Sequence, residues 1–443
     1  MNPRRTRLLT PILVALALIL TRPALAEVEV EEVVSPGGIT AWLVRDDTVP
    51  VTAIEFTFKG GGAGLDPDGR EGTANLAAST IDEGAGPYDS KAFQQKLADR
   101  SIRITFNAGR DALSGSFYTL NRYRDEALEL LRLALTEPRF DAEPVERIRG
   151  QIMVGIRQSE SDPESVAAKT LREAVFGDHP YAKPVNGTEA SLAAVTVDDL
   201  KTYVKDALTK DRLTIGVVGD IEPDALGAML DRVFGDLPET GRADPTPDIQ
   251  PRIAGGSIVL EMDVPQSTIL FAQRGMPIDD PRYYAGMVLN HVLGGGSFNS
   301  VLTDEIRVKR GLAYSVYSFL HPMDHAALLR GGAATQNAQA GETVELVRSV
   351  LKEIRDNGVP ADKVEDAKTY LTGSFPLRFT NSSQIASQLD AMQYHDFPID
   401  YFRTRNAQVE AVTQEAVDAL AAELLDPQGL LFVVVGRPKG LGG

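Results

Sequence analysis

The segment EGTANLAASTIDEG, residues 71–84, has the spacing of a metal-binding helix without the ligands. Asn75 and Ser79 are four residues apart, so on a helix they share one face, and Ala78 directly precedes Ser79. Histidines at the first and last of these positions, with a glutamate between them, would bind zinc and activate a water molecule. An amide, a methyl group and a hydroxyl cannot do this, so the sequence predicts no metal here.

The other residues that could bind metal or attack a substrate do not complete a site. The chain has no cysteine, which excludes disulfides, thiolate ligands and cysteine nucleophiles. His321 and His325 have helical spacing, but HPMDH contains a proline and follows a strand pattern, which favours a polar turn. We expect Asp82 and Glu83 to serve the solvated end of the helix, and Ser79 has no base nearby in sequence.

The first residues have the pattern of an export signal. Arg4, Arg5 and Arg7 precede a short apolar run, and Ala24-Leu25-Ala26 forms a small-residue cleavage site. We expect residues 1–26 to be a signal peptide and the mature protein to be periplasmic or secreted, with Sec or Tat export left open. No later segment approaches the roughly 20 apolar residues of a membrane span, so no stable membrane insertion is expected.

The charge balance is strongly acidic. With 45 Lys and Arg against 62 Asp and Glu, the formal net charge is −17 at pH 7. Such a balance argues against nucleic acid or an anionic membrane as the partner. A cationic peptide or a basic partner protein would suit it.

A stretch rich in proline and charge divides the chain near its middle. Residues 237–252 (LPETGRADPTPDIQPR) have no apolar period and predict an extended linker between residues 27–236 and residues 253–443. Both halves run in the same order through strands, an Asp-Pro turn, an apolar helix and a final β-run that ends in Val-Val-Gly. This repeat predicts a duplicated domain of the α+β class.

Two longer blocks resemble a known family. GGGSFNSVLTDEIRVKRGLAYSVYSFL (294–320) and FGDHPYAKPVNGTEASLAAVTVDDLKTYV (176–204) are similar to segments of the insulinase/pitrilysin-type peptidases, or inverzincins. The resemblance implies two homologous α+β domains, each an antiparallel sheet packed with helices, that form half of a clam-shell chamber around an extended peptide. It also implies that His179, in the GDHPY turn, has a structural role.

The resemblance identifies the missing zinc ligands. Active members carry His-x-x-Glu-His on a helix and a third, glutamate ligand further along the chain. The two histidine positions correspond to Asn75 and Ser79, the general base to Ala78, and the third ligand to Gly155. The resemblance therefore implies no metal and no cofactor in this chain, with zinc expected in a partner subunit.

The same resemblance gives a role to Arg307 and Tyr314, in EIRVKRGLAY. They match an Arg/Tyr pair that the family places opposite the zinc, where it binds a substrate carbonyl and stabilises the oxyanion; each such donor contributes on the order of 3 kcal/mol. In the alternative interpretation Arg307 caps or pairs on a helix and Tyr314 packs in a strand. We expect Arg310 to form a surface ion pair, and Gly294–Gly296 to allow a tight turn and a close backbone approach.

Three functions follow, from different classes. The first is a non-catalytic subunit that supplies Arg307 and Tyr314 to a homologous zinc-bearing peptidase partner acting on peptides. The second is a peptide-binding or assembly protein with no role in catalysis, and the third is a zinc peptidase active alone, against which the four absent side chains argue. Whether the assembly is a homodimer or a heterodimer is left open.

Overall fold

The computed structural model describes residues 29–441. The predicted signal peptide, residues 1–26, lies outside this range, so export stays a prediction. Within residues 29–441 no helix is long and apolar enough to cross a membrane.

The first half is built on a six-stranded sheet with the order β1-β2-β6-β3-β5-β4. All of its pairs are antiparallel except β2 with β6, which run parallel. The central strands are apolar on both faces because helices cover both sides of the sheet. The strands are β1 (Glu31–Val34), β2 (Thr40–Arg45), β3 (Val51–Lys59), β4 (Arg103–Ala108), β5 (Ala112–Leu120) and β6 (Leu213–Gly219).

The second half repeats this arrangement in a five-stranded sheet with the order β7-β11-β8-β10-β9. Again one pair, β7 with β11, is parallel and the others are antiparallel. The predicted fold class, two homologous α+β units, is confirmed, and the structure adds one parallel pair to each sheet. The strands are β7 (Gly256–Glu261), β8 (Gln266–Arg274), β9 (Ala313–Pro322), β10 (Ala327–Gln336) and β11 (Leu431–Gly436).

One face of each sheet is covered by amphipathic helices from the same half of the chain. The helices of the first half are α1 (Thr73–Ala78), α2 (Ser90–Arg100), α3 (Arg124–Thr136), α4 (Ala142–Ser159), α5 (Pro163–Phe176), α6 (Glu189–Ala194), α7 (Val197–Ala207) and α8 (Pro223–Phe234). Those of the second half are α9 (Tyr283–Asn290), α10 (Ala340–Asn357), α11 (Ala361–Gly373), α12 (Ser382–Tyr394), α13 (Tyr401–Glu410) and α14 (Gln414–Leu424).

The opposite face of each sheet is covered by a helix from the other half. Helix α5 packs on β8 and β11, and helix α12 packs on β3 and β6. Gly216 in β6 allows α12 to approach, because a Cβ there would lie 2.2 Å from the backbone oxygen of Ala386. At the same contact the Asp390 carboxylate accepts hydrogen bonds from the hydroxyls of Thr57 (2.6 Å) and Thr214 (2.7 Å). The halves therefore exchange one helix each.

The segment between the halves, residues 237–252, contains no helix or strand. It is held to both halves by hydrogen bonds from its backbone and side chains. The His179 ring lies 2.7 Å from the carbonyl oxygen of Pro247, and Ile249 donates its N–H to the carbonyl oxygen of His325 at 2.9 Å. His179 also accepts the N–H of Tyr181 through Nδ1, so this histidine joins the linker to its own turn. These contacts give His179 a structural role.

Candidate functional site

Helix α1 is firmly positioned although it carries no metal ligand. It begins after Gly72, whose left-handed backbone (φ 96°) would strain any other residue. The carboxylate of Asp66 accepts the N–H groups of Gly72 and Ala74, each at 2.7 Å, and so caps the start of the helix. Burial raises the pKa of Asp66 to about 7, against the lowering effect of these two hydrogen bonds.

The four positions that the resemblance matches to a zinc site are Asn75 and Ala78 on α1, Ser79 at the C-terminal cap of α1, and Gly155 on α4. The two helices pack on each other. Asn75 and Ser79 are half-buried, and neither side chain has a hydrogen-bond partner within residues 29–441. Ala78 is only 2% exposed. Gly155 is exposed on α4, where an added Cβ would meet no atom within 4 Å. The surface at Gly155 therefore has room for a longer side chain.

The acidic residues after α1 differ from the sequence-based expectation. Glu83 is only 15% exposed at its side chain, and it forms an ion pair with Arg147 of α4 at 2.6 Å. It also accepts the Ser90 hydroxyl at 2.5 Å. Burial raises the pKa of the neighbouring Asp82 to about 6. The expectation of a solvated helix end is therefore wrong, because α4 covers this end of α1.

No group of three or more His, Cys, Asp or Glu side chains in residues 29–441 is arranged to hold a metal ion. His321 lies in β9, whereas His325 lies in the following turn. The His325 ring contacts the Asp248 carboxylate at 2.9 Å, so it binds the linker. The interpretation of these two histidines as part of a polar turn is confirmed for His325 and is wrong for His321, which is part of the strand β9.

Arg307 and Tyr314 come together at the surface of the second half. The guanidinium carbon of Arg307 lies 4.8 Å from the centre of the Tyr314 ring and 4.7 Å from the centre of the Phe298 ring. The cation is therefore in contact with two aromatic rings. Tyr314 is 80% exposed and Phe298 is 68% exposed, so both rings are presented to solvent. Sequence reasoning did not identify Phe298, although it is the second residue after the glycine run.

Local irregularities in the backbone produce this arrangement. Arg307 lies in a π-helical turn, Thr303–Val308, a feature that is frequent at functional sites. Ser315 pairs with Ala334 and Ala313 pairs with Thr335, so Tyr314 is the extra residue of a β-bulge. A bulge redirects the side chain of its extra residue, which explains why Tyr314 faces solvent instead of packing in the sheet.

The glycine run fixes the distance between this turn and the sheet. A Cβ on Gly294 would lie 2.5 Å from the backbone nitrogen of Ser318 in β9, so only glycine allows this approach. The chain passes there from α9 into a second π-helical turn, His291–Gly295. The predicted close backbone approach at the glycine run is confirmed.

The two cations that follow Arg307 in the sequence form ion pairs, whereas Arg307 forms none within residues 29–441. Arg310 forms an ion pair with Glu305 at 2.6 Å, as predicted, and Lys309 contacts Glu305 at 2.6 Å. No carboxylate in the described part of the chain lies within ion-pair distance of Arg307. No hydrogen bond, ion pair or ring contact within residues 29–441 joins Arg307 or Tyr314 to the degenerate motif. The structure therefore brings the pair together and leaves it separate from α1.

Known families match both halves of the chain. The family described as "Insulinase (Peptidase family M16)" matches residues 43–189, and the one described as "Peptidase M16 inactive domain" matches residues 194–371. Together with the two-sheet architecture and the motif blocks, these matches show that the chain belongs to the insulinase (M16) family.

Several relatives are similar over most of the chain. "Non-peptidase homolog YmxG" of Helicobacter pylori is 28% identical over 88% of this chain and 90% of its own length. "Uncharacterized zinc protease YmxG" of Bacillus subtilis is 27% identical over 72% of this chain and 77% of its own. A Pseudomonas fluorescens crystal structure, titled as a peptidase M16 inactive domain, has a TM-score of 0.86 and 28% identity over 94% of this chain and all of its own.

Proposed function

We propose that this chain is the non-catalytic subunit of an exported zinc peptidase, in which it supplies Arg307 and Tyr314 to the active site of a homologous partner. The partner binds the zinc ion and activates the water molecule. The observation that carries the proposal is the solvent-facing Arg307–Tyr314 pair on a chain whose zinc-ligand positions are occupied by Asn75, Ser79 and Gly155. Relatives named as a non-peptidase homologue and an inactive domain support the same division of roles.

The surroundings of the pair support a partner at this surface. Phe298 and Tyr314 place two large, exposed rings against one cation, and Val308, the next residue after Arg307, is also 66% exposed. Such a surface is unfavourable in water and is typical of a site that another molecule covers. Since Arg307 has no carboxylate partner in the described part of the chain, its charge is available to a ligand.

The chemistry follows from the two donors. When a water molecule attacks a peptide carbonyl, negative charge develops on the carbonyl oxygen, and a guanidinium and a phenol hydroxyl placed there stabilise it. Phe298 and Tyr314 hold the guanidinium between two rings, which limits its rotamers before substrate binds. In this proposal Phe298 is a positioning residue and does not touch the substrate.

The test is peptidase activity of the complex with a zinc-bearing homologue from the same genome. Arg307→Ala and Tyr314→Phe should each lower kcat on the order of a hundredfold, the loss expected for one oxyanion donor, with little change in complex formation. Arg310→Ala is the matched control, because Arg310 is already paired with Glu305 and should leave activity nearly unchanged.

Three outcomes would contradict the proposal. Equal and small effects of all three substitutions would favour the peptide-binding or assembly function. Losses confined to KM would show that the pair only holds the substrate. Stoichiometric zinc and peptidase activity in the purified chain alone would make it an independent enzyme.

A further inference from the structure

A second cluster of cations lines a partly open cavity of about 150 Å³ between the two halves. Arg110 comes from the turn between β4 and β5, Arg172 from the exchanged helix α5, and Arg330 and His321 from β10 and β9. The rest of the lining is apolar and comes mainly from α5, with Leu171 among its residues. This cavity shares no lining residue with the Arg307–Tyr314 site.

The three guanidinium groups are held in place without carboxylate partners. Arg110 donates to the carbonyl oxygen of Lys183 at 3.0 Å, and Arg172 donates to that of Ala182 at 3.1 Å. Arg330 lies 5.7 Å from the centre of the Phe319 ring. Within residues 29–441 no Asp or Glu oxygen lies within ion-pair distance of any of the three. The nearby carboxylates of Asp111 and Glu173 act to raise the pKa of Arg110 and Arg172, but burial outweighs them and lowers both pKa values. The cavity therefore keeps an excess of positive charge.

His321 adds an unsatisfied polar atom to the same cavity. Its Nδ1 is buried and has no hydrogen-bond partner in the part of the chain that the structure describes. A buried polar atom without a partner costs free energy, so native proteins rarely leave one unless a ligand or water satisfies it. The imidazole therefore offers one more hydrogen bond to an occupant.

The cations also disturb one another. Burial lowers the pKa of Arg110 to about 10, and the charge of Arg172 lowers it further. Burial likewise lowers the pKa of His321 to about 4, with contributions from Arg330 and Arg110. An anion in the cavity would reduce this repulsion, and its attraction to the guanidinium groups would offset the solvation that they lose on burial.

We propose that this cavity binds a small carboxylate that carries an apolar group. The guanidinium groups match a carboxylate, and the apolar wall formed by α5 matches a short aliphatic chain. A cavity of about 150 Å³ holds a molecule the size of benzene, and isobutyrate has as many non-hydrogen atoms. Either a free carboxylic acid or the C-terminal residue of a peptide presents this chemistry.

Calorimetric titration of the full chain with a matched set of probes tests the proposal. Isobutyrate should bind with one-to-one stoichiometry and a Kd on the order of 1 mM. This Kd corresponds to a binding free energy per non-hydrogen atom that is ordinary for a ligand of its size. Isobutyramide has the same shape without charge, and inorganic phosphate has charge without an apolar group; both should bind at least about tenfold more weakly. N-acetylvaline is almost twice the size of isobutyrate, so its acetyl end would have to extend through the opening of the cavity. Its binding would identify a peptide C-terminus as an accepted source, and its failure to bind would restrict the site to small free acids.

Substitutions locate the site. Arg330→Met and Arg172→Met should each weaken isobutyrate binding on the order of ten- to a hundredfold, the loss of one charge-assisted hydrogen bond. Arg437→Met is the control, because Arg437 forms an exposed ion pair with Asp263 and does not line the cavity. Without ligand, Arg330→Met should not lower Tm, since it removes a repelling charge, whereas Arg172→Met also loses the hydrogen bond to the Ala182 carbonyl and should lower Tm slightly.

The proposal is overturned if isobutyrate does not bind the unsubstituted chain at concentrations well above the expected Kd. It is also overturned if isobutyramide or phosphate binds at least as tightly as isobutyrate. Unchanged isobutyrate binding in both cavity variants would place the binding elsewhere. All of these measurements use binding, so their outcome is independent of whether Arg307 and Tyr314 act in a partner's peptidase site.

Discussion

Asp390 gives a stability test at the contact where α12 crosses onto the sheet of the first half. Its carboxylate is buried and bound only by the hydroxyls of Thr57 and Thr214, with no cation in ion-pair distance within residues 29–441. Burial raises its pKa from the ordinary 3.8 to about 6, against the lowering effect of these two hydrogen bonds. The charged form of Asp390 is therefore disfavoured in the folded protein.

The magnitude follows from the two pKa values. Because the folded pKa is above the unfolded one, the folded chain binds more protons between about pH 4 and pH 6, and the free energy of unfolding falls as pH rises through this window. Linkage gives a cost of about 1.6 kcal/mol at pH 5 and about 3 kcal/mol at pH 7.5. Asp390→Asn keeps the shape and can bond both hydroxyls, but carries no charge. The stability difference between variant and parent should therefore change in favour of the variant by about 1.4 kcal/mol from pH 5 to pH 7.5.

Urea unfolding at the two pH values, followed by tryptophan fluorescence, measures this difference. The chain has a single tryptophan, Trp42, and it is buried in the same cluster that α12 packs against. Asp362→Asn is the control, because Asp362 is exposed at the start of α11 and its substitution should stay within about 0.5 kcal/mol at both pH values. An equal loss of stability by Asp390→Asn at pH 5 and pH 7.5 would refute the reasoning. It would show that Asp390 is already charged in the folded protein at pH 5, and that its hydrogen bonds outweigh the cost of burying the charge.

Three further predictions concern the zinc frame, the glycine run and the connection between the halves. Elemental analysis after dialysis should find far less than one zinc per chain. Restoring His-x-x-Glu-His with Asn75→His, Ala78→Glu and Ser79→His should give stoichiometric zinc only when Gly155→Glu is added, and the surface at Gly155 has room for that side chain. Gly294→Ala should lower the free energy of unfolding by about 1–3 kcal/mol, because its Cβ would press on β9, whereas Gly373→Ala, with open space, should not. A chain cut at a protease site engineered into residues 237–252 should elute as one species in gel filtration, since α5 and α12 still hold the halves together; separate elution would contradict the helix exchange.

The class of fold could be predicted from the sequence, but not the way in which its halves interlock. Two β-runs that end in Val-Val-Gly became β6 and β11, the corresponding strands of the two sheets. The apolar stripes of α5 and α12 indicate that each helix must be buried, yet a stripe carries no information about which sheet will bury it. That choice depends on long-range contacts such as the close approach of α12 to Gly216.

The candidate site, too, could be predicted only in part. The identity of Arg307 and Tyr314 followed from a block of sequence, whereas the orientation of Tyr314 depends on a β-bulge. A bulge depends on how the registers of two paired strands fit together, and no residue near Tyr314 predicts it. The burial of Glu83 was missed for a related reason, since its partner Arg147 lies on a helix far along the chain.

The exchange of helices also determines the order in which this protein can be completed as it is made. Many chains with two domains finish the N-terminal domain while the rest is still being synthesised. Here the sheet of the first half has an apolar face, including Trp42, that stays uncovered until residues 382–394 have been made. An apolar face of this kind is prone to aggregation while it is uncovered. The first half can therefore reach its final packing only together with α12 of the second half, whether the chain folds during synthesis or after the proposed export.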